Sequence, residues 1–482
     1  MRSQLLPEPE LEFRASNRHI DPRFGIADYG PADADTPSAP TQIPVGLVGS
    51  SRSIDGLRRW LEQCRNPIDG KTAKPGQDNM FPAFPGFNTD TAFSSQIVFD
   101  DALTRQVSDR EIRSVVGSDT TKTVADAADL FFAEAKSLGE TGRCRVIICA
   151  RPDDVEDEPS PVSLEVGEEE AEEQEEQASQ KAEDFHDLLK AKSLTLSCPL
   201  QIIRRDTWEG KSSRKGERKR RLQDEATRAW NLHTALYYKA GGTPWRLPRA
   251  STDLTTCFVG VSFFRTTDES ALHTAVAQIF NERGDGVVVR GGAAKISKAD
   301  RQSHLSEEDS HRLLADALAE YKRVHGNLPA RVVLHKSSSF DAGEAAGFRL
   351  AADQKEIGHL EMVWVQRRWA PRLFRNGQLP PLRGTLLELD QNAFVVYTRG
   401  SVPFFRTYPG MYVPWPLLLR PTGACDLVRA ATDVLALSKM NWNNAQLDER
   451  DPLTLRTAQR VGSILKHVGA EGRIATRYAY YM

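Results

Sequence analysis

Cys257-Phe-Val-Gly-Val-Ser-Phe-Phe264 is a run of apolar residues broken only by Gly260 and Ser262, and it reads as a buried strand. His273-Thr-Ala-Val-Ala-Gln-Ile-Phe280 reads as a second strand. Glu282-Arg-Gly-Asp-Gly286 supplies a turn into Val287-Val-Val-Arg290, so these two runs pair as a hairpin. A helix follows from His311 to Val324, then the strand Arg331-Val-Val-Leu-His335, a further helix, and a strand from Leu360 to Gln366. Three antiparallel strands followed by helix and further strand is the order of a ribonuclease-H-like sheet. Residues 384–420 are strand-rich, and helices over about 425–440 and 453–468 complete this half.

Upstream, Ile43-Pro-Val-Gly-Leu-Val-Gly49 reads as a short buried strand that runs through Ser50-Ser51-Arg52-Ser53 into a helix reaching Trp60-Leu61. Phosphate loops begin this way, but no Gly-Lys-Ser/Thr follows, which argues against a nucleotide P-loop. Gln96-Ile-Val-Phe99 and Arg145-Val-Ile-Ile-Cys-Ala150 are further strands, with an amphipathic helix between them from Val124 to Leu138. The alternation predicts a Rossmann-like layer over roughly residues 40–205. The fold class is therefore α/β, two unlike modules in succession. Residues 1–40, rich in Pro, Asp and Ala, show no periodicity and are expected to be an extension.

The whole chain has 482 residues, 40% of them hydrophobic and 27% charged, the balance of a globular protein with at least one large core. Lys+Arg (63) nearly cancel Asp+Glu (66), and a net charge of −3 excludes a uniformly basic nucleic-acid coater. No apolar run reaches the roughly 18–20 residues of a membrane span. Met1-Arg-Ser-Gln-Leu-Leu-Pro7 meets charge and proline too early for a secretory signal, so a cytoplasmic location is expected. Six cysteines (Cys64, Cys144, Cys149, Cys198, Cys257, Cys425) contain no Cys-x-x-Cys pair and are expected to be small buried hydrophobes.

Charge is strongly segregated within that balance. Residues 153–184 form an acidic insertion, with eight glutamates between Glu165 and Glu176, too polar to bury and expected to be solvated. The opposite follows in Lys211, Arg214, Lys215, Arg218, Lys219, Arg220 and Arg221. That run is either a solvated face or a patch meeting nucleic-acid phosphates, with Lys211, Arg214, Lys215 and Arg218 as its candidate backbone contacts.

Leu236-Tyr-Tyr-Lys-Ala-Gly-Gly-Thr-Pro-Trp-Arg-Leu247 resembles the entry to the PIWI domain of prokaryotic Argonautes. The similarity continues through Cys257-Phe-Val-Gly-Val-Ser, Ala275-Val-Ala-Gln-Ile-Phe280, Val333-Leu-His-Lys-Ser, Arg383-Gly-Thr and Asn441-Trp-Asn-Asn, covering about residues 235–482 and more weakly 20–235. Asp21-Pro-Arg-Phe-Gly-Ile-Ala-Asp-Tyr-Gly-Pro31 is similar to the family's N-terminal region. At this length the chain looks like a short prokaryotic Argonaute without N and PAZ domains. The resemblance implies an extension at 1–40, a Rossmann-like MID domain at 41–240 and a ribonuclease-H-like PIWI domain at 241–482.

The family's MID pocket holds the 5′-phosphate of a guide strand, and its positions fall here on His186, Lys190, Gln201 and Lys239. The residue types suit that task. His186 and Lys190 stand four apart on one helix face, lysines and helix termini attract phosphate, and an amide can donate to a phosphate oxygen. Arg477-Tyr-Ala-Tyr-Tyr-Met482 ends the sequence in aromatics. The resemblance implies that the Met482 carboxylate helps hold a Mg²⁺ bridging guide phosphates, and packing of an apolar tail on the PIWI sheet is the other reading. Slicing Argonautes hold two Mg²⁺ on carboxylates. The first two carboxylate positions are Ser262 and Ser337 here, so no catalytic residue is expected and no target cleavage. Asp341, four residues beyond Ser337, is read as a helix-starting acid.

Short Argonautes of this kind act with a separately encoded APAZ-containing partner that brings a TIR domain, a sirtuin-like domain or a nuclease. The expected function is thus guide-RNA-directed recognition of invader single-stranded DNA, which activates a partner to deplete NAD⁺ and cause abortive infection. A stand-alone guided nucleic-acid binder, or a guided nuclease with unrecognised carboxylates, are the alternatives. The aromatic residues Tyr397, Phe404, Phe405, Tyr408, Tyr412 and Trp415 are read as core, base-stacking or partner-contacting.

Overall fold

The computed structural model describes residues 2–72, 75–153, 155, 184–210, 222–249, 252–266, 272–280 (of 273–280 the backbone), 286–367, 371–410, 413–447, 449–469, 472 and 474–482. The acidic insertion, apart from 153, 155 and 184, and the whole basic run with Lys211, Arg214, Lys215 and Arg218 lie outside these residues.

The chain begins with β1 (Arg2–Leu5), the two-residue pairing of β2 (Leu11–Glu12) with β3 (Arg18–His19), and α1 (Pro22–Tyr29). Asp21 caps α1, its carboxylate accepting from the N–H groups of Arg23 and Phe24. A first sheet then forms from β4 (Gln42–Gly49), β5 (Gln96–Val98), β6 (Thr104–Gln106), β7 (Val146–Ala150) and β8 (Leu200–Ile203), every pair parallel. Its helices are α2 (Ser51–Gln63), α3 (Asp109–Val115), α4 (Thr120–Glu140), α5 (Phe185–Ser193), α6 (Arg205–Glu209) and α7 (Glu225–Lys239).

Parallel strands need both faces covered, and the side chains comply. Val45 and Leu47 pack with Leu57, Trp60 and Trp230, while Val48, Ile147 and Cys149 meet Val124, Phe131 and Leu189 on the other side. This is the Rossmann-like module. Ser50, at the turn from β4, is an ordinary helix cap whose hydroxyl accepts from Ser53 N–H.

The second sheet is built from β9 (Thr256–Arg265), β10 (Leu272–Phe280), β11 (Gly286–Val289), β14 (Arg331–Lys336), β15 (His359–Gln366), β16 (Thr385–Asp390), β17 (Ala393–Val396) and β18 (Leu417–Pro421). A small ribbon, β12 (Ala294–Ile296) with β13 (Ser303–Leu305), lies outside it. The nine-stranded order is β1-β16-β17-β18-β15-β14-β9-β10-β11. β9, β10 and β11 are antiparallel neighbours, and β14 lies parallel to both β9 and β15. This is a ribonuclease-H-like sheet.

Helices α8 (Glu307–His325) and α9 (Ala342–Gln354) cover one face. Helix α10 (Leu427–Leu437) packs on Phe394, Val396 and Leu417, and α11 (Leu453–Leu465) crosses β9. The chain is thus α/β, a Rossmann-like module followed by a ribonuclease-H-like one. The aperiodic first residues carry a strand of the second sheet, with Arg2 opposite Glu388 and Leu5 opposite Thr385. None of the six cysteines is paired in a disulfide, and five of them are buried. Among the described residues, no helix is long and apolar enough to cross a membrane.

Candidate functional site

Three elements of the first module and residues 480–482 meet at one point. Helix α5 starts where Asp184 accepts from His186 N–H at 2.8 Å, and its four-residue spacing puts His186 and Lys190 on one face. Helix α7 ends at Lys239 because Gly241 adopts φ +101°, a conformation natural only to glycine. Gly242 leaves no room for a Cβ, which would fall 2.2 Å from the Tyr237 ring. The Gly-Gly pair therefore fixes where the Lys239 side chain leaves the helix.

Both ammonium groups converge on the main-chain oxygen of Met482. Lys239 Nζ donates to it at 2.6 Å and to Gln201 Oε1 at 2.5 Å. Lys190 Nζ donates to the same Met482 oxygen and to the Leu200 carbonyl. Lys190 is fully buried and Lys239 nearly so, and two neighbouring cations away from water disfavour each other. Burial and the adjacent Lys239 hold the Lys190 ammonium well below its usual range, and burial lowers Lys239 to about 7.

His186 sits at the edge of this cluster. Burial, and then the Arg460 guanidinium, depress it to about 3, so it is neutral at physiological pH. Arg460 on α11 donates to His186 Nδ1 and pairs with Asp187 Oδ1 at 2.7 Å. His186 Nδ1 also lies 3.2 Å from Asp187 Oδ1, so this nitrogen sits between a guanidinium that only donates and a carboxylate that only accepts. Burial pushes Asp187 up, but Arg460 and His186 outweigh it and keep the carboxylate ionised.

Beside the lysine pair opens a cavity of about 280 Å³ lined by Arg151, His186, Gln201, Arg204, Thr207, Gln223, Arg228, Asn231 and Asn443, among others. Among the described residues, three arginines and no carboxylate line it, which makes it an anion-attracting space. His186 and Gln201 face this cavity; Lys190 and Lys239 lie behind its lining. Gln201 is already committed, its amide donating to Ile202 O at 2.9 Å while its oxygen accepts from Lys239. The structure thus brings together all four candidate residues and Met482.

Arg460, Asp187, Arg151 and Arg228 were not singled out in the sequence. Asp187, next to His186, was legible as a neighbour. Arg460 lies on a helix far along the chain, and only tertiary packing brings it here.

Ser262 lies in the carboxyl-terminal half of β9 and Ser337 directly follows the parallel neighbour β14, where Ser337 N–H faces Val261 O at 3.4 Å. Ser262 is buried, its hydroxyl without a hydrogen-bond partner among the described residues; Ser337 is exposed. One group of described residues, His304, Asp341 and Glu344, gathers potential metal ligands within 4.8 Å. Its buried carboxylate is already taken, because both Glu344 oxygens accept from the buried Lys336 ammonium at 2.5 Å and Oε2 also meets His304 at 2.8 Å. Asp341 caps α9 in a reciprocal box with Glu344, the helix-starting role expected for it. Tyr397 and Phe405 are core residues, Phe404 and Trp415 are partly buried, and Tyr412 lies outside the described residues.

No protein-family model and no curated protein matches the sequence. Solved structures do match the fold. Clostridium butyricum Argonaute bound to a guide DNA and a 19-mer target DNA aligns with a TM-score of 0.64 at 14% identity, over 97% of this chain and 53% of that one. Aa-Ago with externally bound siRNA gives 0.57 at 13% identity over 99% and 56%, and A. aeolicus Argonaute 0.53 at 13% over 99% and 55%. The chain shares the fold of these Argonautes and spans little more than half of their length.

Proposed function

We propose that the chain binds the 5′-phosphorylated end of a guide RNA in the cavity beside Lys190 and Lys239, and uses the paired guide to recognise complementary single-stranded DNA. The observation that supports this reading is the convergence of two buried lysines behind a space that, among the described residues, is lined by three arginines and no acid. A phosphate beside the pair favours its charged form, so protonation of the pair and binding of the anion reinforce one another. His186 is neutral and lines the cavity, and Gln201 retains its second amide hydrogen for a phosphate oxygen.

Mg²⁺ belongs to this proposal. The oxygens gathered here, from Met482, Leu200, Tyr480 and Gln201, are the hard donors such a cation takes. If Met482 ends the protein, its oxygens are those of a carboxylate. The cation would be held by Met482 and the guide, and would supply neutralisation of phosphate charge. The two ammonium groups already on these oxygens imply that it enters with the nucleic acid.

Target cleavage is not part of the proposed function, because serines stand at positions 262 and 337 and the carboxylate nearest Ser337 along the chain, Asp341, caps a helix. The Argonaute most similar by TM-score among those named holds guide and target DNA, which favours guided recognition as the shared task. The output is assigned to a partner, an APAZ-containing protein with a TIR or sirtuin-like domain that consumes NAD⁺.

The test compares a ~20-nucleotide RNA bearing a 5′-phosphate with its 5′-hydroxyl counterpart at fixed salt, with and without Mg²⁺. The same pair is made in DNA. Strong preference for the phosphate, lost in Lys190→Ala/Lys239→Ala, is expected. Equal binding of both ends would reduce the cluster to an internal structural network.

A further inference from the structure

The loop joining β15 to β16 displays Phe374, which is 77% exposed, the most exposed large apolar side chain among the described residues. We propose that residues 371–379 of this connection are a second nucleic-acid contact, with Phe374 stacking on an unpaired base and Arg375 meeting the adjacent phosphate. The proposal rests on the nucleic-acid-binding reading above but uses a different surface.

The exposure of Phe374 is imposed by its neighbours. On one side, Leu373 packs against the cluster of Leu387, Val395, Tyr397 and Leu418, and its N–H donates to the Tyr397 hydroxyl at 2.6 Å. The Arg372 guanidinium lies 3.6 Å from the centroid of the Trp415 ring. On the other side, Arg375 Nε donates to Leu379 O at 3.1 Å and braces the turn at Gly377. The backbone is anchored before and after Phe374.

Charge and position indicate the occupant. Residues 371–379 contain two arginines and no acid, and Phe374 is followed by Arg375 and Asn376 rather than by further apolar residues. An apolar protein-docking patch needs contiguous hydrophobic area. A single aromatic beside arginine is what single-strand binders use, a sequence-tolerant stack with a phosphate contact. The loop also leaves the carboxyl end of β15, a strand parallel to β14 and so to β9. It therefore starts from the edge where Ser262 and Ser337 lie, and ligands of open α/β sheets bind beyond such edges.

The experiment measures affinity of the intact chain for a ~20-nucleotide single-stranded RNA, 5′-phosphate and 5′-hydroxyl, by fluorescence anisotropy at several salt concentrations, alone and with complementary DNA. Phe374→Ala should weaken binding about 5- to 100-fold, as for loss of one stacked base. Phe374→Trp should stay near the parent, Phe374→Leu should fail like alanine, and Arg375→Gln should lower the salt slope by about 0.7, one phosphate contact on a single strand. The phosphate-to-hydroxyl ratio should not change in any of them. If Phe374→Ala binds as the parent does in both arms while the ratio stays high, this proposal falls and the end pocket stands. Loss of the ratio in the parent with a large Phe374→Ala effect would leave this contact standing and overturn the pocket. Parent-like binding by Phe374→Leu would show that apolar contact suffices there, and would overturn the stacking assignment.

Discussion

Lys190 and Lys239 share one acceptor oxygen out of contact with water, and that gives the candidate site a pH signature. Lys239 falls from an ordinary 10.5 to about 7 in the fold. A depressed lysine binds fewer protons folded than unfolded, so its penalty on folding is fully present below pH 7 and disappears as pH rises toward 10.5. Phosphate binding needs the protonated form, so the sign reverses for the ligand. Preference for a 5′-phosphate should be greatest below about pH 7 and decline above it, with proton uptake on binding. Calorimetry in buffers of different ionisation enthalpy measures that uptake. His186, near 3, should add no step between pH 5 and 7.

A second residue-scale prediction concerns Lys336, buried with Glu344. Lys336→Met strands a buried carboxylate and should destabilise by about 3–5 kcal/mol. Adding Glu344→Gln should recover part of that loss in chemical unfolding.

At the scale of elements, the crossing of α11 over β9 is set by one residue. A Cβ on Gly260 would lie 2.0 Å from the Thr454 carbonyl oxygen, a backbone atom that cannot swing aside. Gly260→Ala should therefore displace α11 and with it Arg460, read as faster amide exchange across residues 453–465 and a depressed thermal midpoint. Asp341→Ala removes the α9 cap and should cost about 0.5–2 kcal/mol.

These elements differ in legibility. β9, β14, α8 and α9 carry apolar periodicity and turn or cap residues, all local signals. β1 carries none. Arg2–Leu5 is mostly exposed, and only the register against β16 makes it a strand.

Across the whole molecule, the modules are joined by one continuous core. Leu453, Val461, Ile464, Tyr481 and Met482 pack in the same cluster as Leu236 and Trp230, and Tyr238 stacks on Trp442 at 4.5 Å. The N-terminal segment is part of that closure. Glu8 pairs with Arg383 at 3.0 Å and Lys439 at 3.1 Å, both cations buried. Glu8→Ala leaves two buried charges uncompensated, a change worth about 3–5 kcal/mol by analogy with broken buried pairs, and should lower the thermal midpoint. Glu8→Gln, which keeps the hydrogen bonds but not the charge, should fall between.

By itself the sequence determined the α/β class, the two modules in their order, and the proximity of His186 to Lys190. Those follow from hydrophobic period, turn chemistry and helix spacing, all of which act over a few residues. Tertiary structure alone decided the rest: that Lys190 and Lys239 share the Met482 oxygen, that Arg460 reaches His186 and Asp187, that three arginines face one cavity, and that the first residues close the second sheet. Each of these joins groups tens to hundreds of residues apart. Such contacts are set by which faces bury together, and no local pattern encodes that pairing.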